Sequence, residues 1–132
     1  YTPDVSVKGY IPISGTIDAN MIFDQKSGGI SKITDEQLTI LNKITRISKI
    51  NQVDLWLMIS PIYKLTDEDI KINQGIRNFA KQNGIHFIDF TENIVFSDPL
   101  LFKDNLHLNS HGAIEYSKIV GDSLRFSKRN AY

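Results

Sequence analysis

Asp104 and His107 stand three residues apart in the stretch Phe102-Lys103-Asp104-Asn105-Leu106-His107-Leu108-Asn109. In a turn, that spacing can fold a carboxylate back onto an imidazole. The carboxylate then accepts a hydrogen bond from one ring nitrogen. It fixes the tautomer and stabilises the imidazolium that forms when the other nitrogen takes a proton. This is the base and orienter of a Ser-His-Asp mechanism. The pattern Asp-x-x-His is weak alone, since any loop can contain it. The plain alternatives are a loop histidine bonded to backbone and an Asx-turn aspartate. A metal is a third reading. His111 lies four residues after His107, a spacing that binds metal on one helix face, and Asp104 would be a further ligand. His107 falls before the expected helix start at Asn109-Ser110, which argues against a shared face, so the sequence calls for no metal.

The partners of such a base are harder to find. The chain has no cysteine, which excludes a thiol nucleophile, a disulfide scaffold and any Cys-ligated metal. Gly121-Asp122-Ser123 spells a serine-nucleophile string but falls inside the expected last helix, whereas a nucleophile needs an exposed strand-to-helix turn. Ser60 and Tyr63 follow an apolar strand and are candidate substrate contacts, with a turn residue as the simpler reading of Ser60. Trp56 reads as core and His86 as structural.

The elements that would position these residues form an α/β pattern. Thr34 with Gln37 is a capping-box signal, and Asp35 and Glu36 suit the positive helix end. Leu38, Leu41, Ile44 and Ile47, with Ile40 beside them, predict one apolar helix face running to about Ile50. Val53 to Ile59 is almost continuously apolar, as in a parallel strand covered on both faces. Thr66 followed by three acidic residues opens a second helix. Ile72, Ile76, Phe79 and Ala80 mark its buried face, and Asn83-Gly84 predicts a left-handed cap. Ile85 to Phe90 is the second strand, which completes a βαβ unit. A long connection leads to a last helix from near Ser110, carrying Ala113, Ile114, Ser117, Val120 and Leu124. In open parallel sheets ligands bind at the carboxyl ends of the strands. Residues 60–63, 91–93 and the connection before the last helix meet that condition.

The run from Phe102 to Asn109, followed by Gly112-Ala113, resembles the last conserved block of the SGNH (GDSL-like) hydrolases and their acyltransferase relatives. The strand ending at Ser60-Pro61, the helix with Phe79-Ala80, and Gly84-Ile85 leading into Phe87-Ile88-Asp89 are also family-like. The resemblance covers roughly residues 34–126. It implies a three-layer, flavodoxin-like α/β domain with a short parallel sheet. It implies His107 as general base and Asp104 as its orienter, with no cofactor. The substrate class would be an O-acyl ester, small or carried on carbohydrate, in an extracytoplasmic setting. The sequence departs from the family in lacking the Gly-Asp-Ser type motif after a first strand, and in lacking a recognisable glycine and asparagine for the oxyanion hole. A non-catalytic binding or assembly module is the competing reading.

With 132 residues, 41% hydrophobic and 23% charged, the composition is that of one globular domain. Fifteen basic residues balance fifteen acidic ones, which is not the footprint of a nucleic-acid binder. No window has the roughly 18 uninterrupted apolar residues of a membrane span. Residues 1–33 read as an irregular, wrapping arm: short extended pieces at Val5-Val7 and Ile11-Ile13, then a loop at Ser27-Gly28-Gly29. Residues 34–126 form the α/β core and 127–132 a polar, frayed tail. The start at Tyr1 rather than Met, the sparse arm and the missing serine motif together predict a partial domain. Its nucleophile would lie upstream, and the isolated chain would be inactive.

Overall fold

The computed structural model describes residues 13–18 and 32–129, the side chains of the last three excepted. The readings of Val5-Val7, Ile11 and Ser27-Gly28-Gly29 lie outside the described residues.

Helix α1 spans Asp35–Ile50 and opens on the expected capping box: Thr34 Oγ1 accepts from Gln37 N–H, and the Gln37 side chain accepts from Thr34 N–H. Strand β1 is Trp56–Ile59, three residues shorter at its start than the apolar run. Val53 instead donates its N–H to Ser48 O and stays exposed, because pairing begins only where the partner strand begins. Helix α2, Asp67–Asn83, carries a second capping box between Thr66 and Asp69, and Gly84 ends it in the left-handed region at φ 65°. Strand β2, His86–Asp89, pairs parallel to β1 in the register Trp56 to His86 and Ile59 to Asp89. The unit is thus β1-α2-β2 with a two-stranded parallel sheet.

Two 3-10 turns at Ile94–Ser97 and Pro99–Leu101 fill the long connection. Asn93 and Asp98 cap them by accepting from Val95 and Leu100 N–H. Helix α3 then runs from Ser110 to Arg129, three residues into the stretch read as tail.

Phe79 and Ala80 of α2 are buried as expected, as is Phe90 after β2, and a further buried cluster lies under the connection. Ile17, Phe96, Leu101 and Phe102 form a buried cluster, with Tyr63, Leu108, Tyr116 and Ile119 packed against it. Ile17 N–H donates to Phe102 O, which docks the 13–18 segment on this cluster. Tyr116 meets Phe90 and Phe96 edge-on at 5.1 and 6.0 Å. The inward face of α3 is therefore Gly112, Tyr116 and Ile119. Of the expected face, Ile114 and Ser117 are exposed, while Ala113, Val120 and Leu124 are half-buried. The α1 face is also less covered than its periodicity predicts, with Ile40, Ile44 and Ile47 exposed and Leu38 and Leu41 half-buried. Among the described residues the sheet has two strands, with His86 exposed and the other strand residues half-buried, so none of them is fully buried as a strand covered on both faces would be.

Candidate functional site

The Asp104–His107 pair forms as its spacing predicts. Phe102 and Leu108 make an antiparallel bridge, and Lys103 N–H donates to His107 O at 2.8 Å. These contacts close the base of a hairpin whose tip is residues 104–107. Phe102 is fully buried at that base, which anchors it in the core.

At the tip, Asp104 Oδ1 accepts from the N–H groups of Leu106 and His107, both at 2.9 Å. The same carboxylate faces the imidazole: His107 Nδ1 is 2.9 Å from Oδ1 and 2.9 Å from Oδ2. The Asx turn and the Asp–His pair are therefore one structure. The turn fixes the carboxylate, and the carboxylate holds the ring with Nδ1 inward. Asp104 titrates below the ordinary aspartate value. Partial desolvation pushes it up, but the Leu106 N–H, the His107 ring and the His107 N–H together outweigh that. Both side chains are open to solvent, at 62% for His107 and 52% for Asp104.

The hairpin tip is tied to the segment leaving β1. Asn105 O accepts from Tyr63 N–H at 3.0 Å, Asn105 Oδ1 accepts from Lys64 N–H at 2.9 Å, and Asn105 Nδ2 donates to Lys64 O at 3.1 Å. This ties the tip to the connection that follows β1, four and five residues beyond Ile59. Tyr63 is half-buried and packs on Phe102 with ring centroids 5.6 Å apart, so it is a neighbour of the pair and part of its support. Ser60 is exposed at the strand end, next to the fully buried Pro61. Among the described residues it makes no hydrogen bond to Asp104 or His107. Residues 91–93 close on themselves: Asp89 Oδ1 accepts from Thr91 N–H and Oγ1, and Arg77 bridges Asp89 and Glu92.

Asn109 is the helix cap that the sequence suggests, and more. Its Oδ1 accepts from Gly112 N–H, while its buried Nδ2 donates to Gly15 O and Leu100 O. Ser110 does not cap; its N–H and hydroxyl both donate to Ile13 O. The Asn109-x-x-Gly112 part of the block is thus a packing device. A Cβ on Gly112 would stand 2.1 Å from Leu101 O, so only glycine fits there. Gly121-Asp122-Ser123 lies in α3, where Ser123 Oγ donates to Ile119 O. Among the described residues, no three His, Cys, Asp or Glu side chains group to hold a metal, Asp104, His107 and His111 included. Trp56 is half-buried and stacks on His86 across the strands at 4.2 Å, giving that exposed histidine a structural partner. No helix among the described residues is long and apolar enough to cross a membrane.

No family model, curated protein or solved structure matches the chain. The functional reading therefore rests on geometry and on the sequence resemblance.

Proposed function

We propose that this chain carries the base half of an SGNH-type, three-layer flavodoxin-like domain, a serine O-acyl ester hydrolase or acyltransferase acting on small or carbohydrate-borne acyl esters. The observation that carries the reading is the pair itself: both carboxylate oxygens of Asp104 lie 2.9 Å from His107 Nδ1, on a turn bonded to the chain leaving β1. With Nδ1–H donated to the carboxylate, Nε2 is the basic nitrogen of the ring. Nε2 would take the proton of a serine hydroxyl as its oxygen attacks the ester carbonyl. It would return that proton to the leaving alcohol as the C–O bond breaks, leaving an acyl-serine. Water or an acceptor hydroxyl then takes the acyl group by the reverse proton path.

The serine comes from outside these 132 residues in this reading. Support comes from the local sequence, since Gly121-Asp122-Ser123 lies within α3 and Ser123 Oγ donates to Ile119 O; α1 also has exposed apolar residues among the described ones. The same exposed surface favours the competing reading, a binding or assembly module without chemistry. Ester turnover by the protein with its upstream sequence, before and after His107→Ala, separates the two. Loss of turnover in the variant supports the hydrolase or transferase; equal turnover in both discards His107 as the base.

A further inference from the structure

We propose that Asn105 is a positioning residue for the Asp104–His107 pair: its side-chain amide fixes the hairpin tip against the chain leaving β1. The proposal rests on the base-and-orienter reading given above and adds a residue to it.

The hairpin is anchored at its base by Phe102 and Leu108, but its tip is exposed. The hydrogen bonds of Asp104, Leu106 and His107 are internal to the hairpin: Asp104 with Leu106 N–H, with His107 N–H and with the His107 ring, and His107 O with Lys103 N–H. They hold the carboxylate and imidazole relative to each other. They do not hold the pair relative to the sheet. Among the described residues, every hydrogen bond from the tip to another segment runs through Asn105, and all reach residues 63 and 64.

The amide is the right group for this. It carries an acceptor and a donor in one plane, as a peptide unit does, and so pairs with both the N–H and the C=O of Lys64. The partners also fix its orientation: the oxygen must face the Lys64 N–H, and the nitrogen the Lys64 carbonyl. Aspartate could accept but not donate, and alanine could do neither. The third bond, from Tyr63 N–H to the Asn105 main-chain oxygen, survives any side-chain change. A substitution at 105 therefore tests the amide alone. Without it the tip can pivot on its base with the Asp–His contact intact, and Nε2 leaves the position it needs beside the chain leaving β1. General-base efficiency depends on such placement more than on the base's own chemistry.

Two measurements test this. In the first, amide exchange and residual dipolar couplings are recorded by NMR on the present chain and on Asn105→Ala and Asn105→Asp. In Asn105→Ala, Lys64 N–H should exchange about tenfold faster, the factor for losing one protecting hydrogen bond. The couplings of Leu106 and His107 should depart from those of the parent, while Lys103 N–H stays protected. Asn105→Asp keeps an acceptor for Lys64 N–H and should retain its protection, yet still lose the tip's orientation. Unchanged couplings at 106 and 107 in both variants would overturn the proposal. In the second, ester turnover of the serine-bearing protein should fall in kcat with KM unaltered in both variants; a change in KM alone would overturn it. If the serine-bearing protein hydrolyses no ester at all, the hydrolase reading fails, and the NMR measurement still decides whether Asn105 orients the turn.

Discussion

His107 Nδ1 sits equidistant, at 2.9 Å, from the two carboxylate oxygens of Asp104, and Oδ1 of that carboxylate also accepts two main-chain N–H groups. The aspartate therefore does two things with one group. It builds the turn, and it selects which imidazole nitrogen faces outward. A three-residue separation suffices because the Asx turn reverses the chain within that distance.

The depressed titration of Asp104 follows from this arrangement. Desolvation is the largest single influence and raises it, but the Leu106 N–H and the His107 ring and N–H, which hold the charged form, together outweigh it. A carboxylate lowered on folding contributes stability above the ordinary aspartate range, and loses it as pH falls through the lowered folded value. Both partners are more than half exposed, so the contribution is small. A carboxyl carbon NMR titration should give Asp104 a midpoint below that of a free aspartate, and His107→Ala should move it upward. A midpoint at or above the free value would contradict the geometry.

In the proposed reading the chain supplies His107 as base and Asp104 as orienter, but its Gly-Asp-Ser serine is bonded into α3. Incubated with p-nitrophenyl acetate, it should turn over no faster than its own His107→Ala variant, with no burst of p-nitrophenol. In a protein that brings the serine, the proposed mechanism expects His107→Ala to cost about 10⁶-fold in kcat and Asp104→Asn about 10⁴-fold, by releasing the tautomer. A burst from the short chain would mean that one of its own hydroxyls is the nucleophile.

Local signals were legible and long-range ones were not. Both helix starts could be read from Thr34 and Thr66, and the α2 stop from Asn83-Gly84, because caps depend on residues within one turn. The Asp104–His107 contact is likewise local. The 3-10 turns at Asn93 and Asp98-Pro99 carried readable signals too, an Asx cap and a proline at the first position, and went unread. The α3 face is legible only in part: Ala113, Val120 and Leu124 are half-buried, but Gly112, Tyr116 and Ile119 turn inward for partners in other elements, which the local pattern does not show. Asn105 was invisible for the same reason: its partner Lys64 lies 41 residues earlier, and no local pattern marks it. The β1 boundary depended on where β2 begins, which apolar content does not show.

Asn109 joins three segments through one buried amide. Asn109→Ala would remove the α3 cap and leave the carbonyls of Gly15 and Leu100 without that donor. A lost cap costs about 1 kcal/mol, and a buried group left unsatisfied about 1–3 kcal/mol more. Urea unfolding should therefore show a loss of about 2–4 kcal/mol. Asn109→Asp should recover only the cap, since it keeps the acceptor for Gly112 N–H and lacks the donor. A loss below about 1 kcal/mol in Asn109→Ala would mean that water replaces the amide.

Two glycines of α3 separate helix propensity from packing. At Gly121, an added Cβ meets nothing within 4 Å, so Gly121→Ala should stabilise the chain by about 0.5–1 kcal/mol through reduced backbone freedom in the unfolded state. At Gly112, the same methyl would stand 2.1 Å from Leu101 O and 3.0 Å from Leu108 Cδ2. Leu101 O already accepts from Asn109 N–H, so it cannot move without breaking that bond. The helix start must then lift from the hairpin base that carries Asp104 and His107. Gly112→Ala should cost about 2–4 kcal/mol, opposite in sign to Gly121→Ala. Denaturation midpoints of the two variants, measured side by side, check the contrast. A Gly112→Ala chain as stable as the parent would show that α3 does not seat on Leu101.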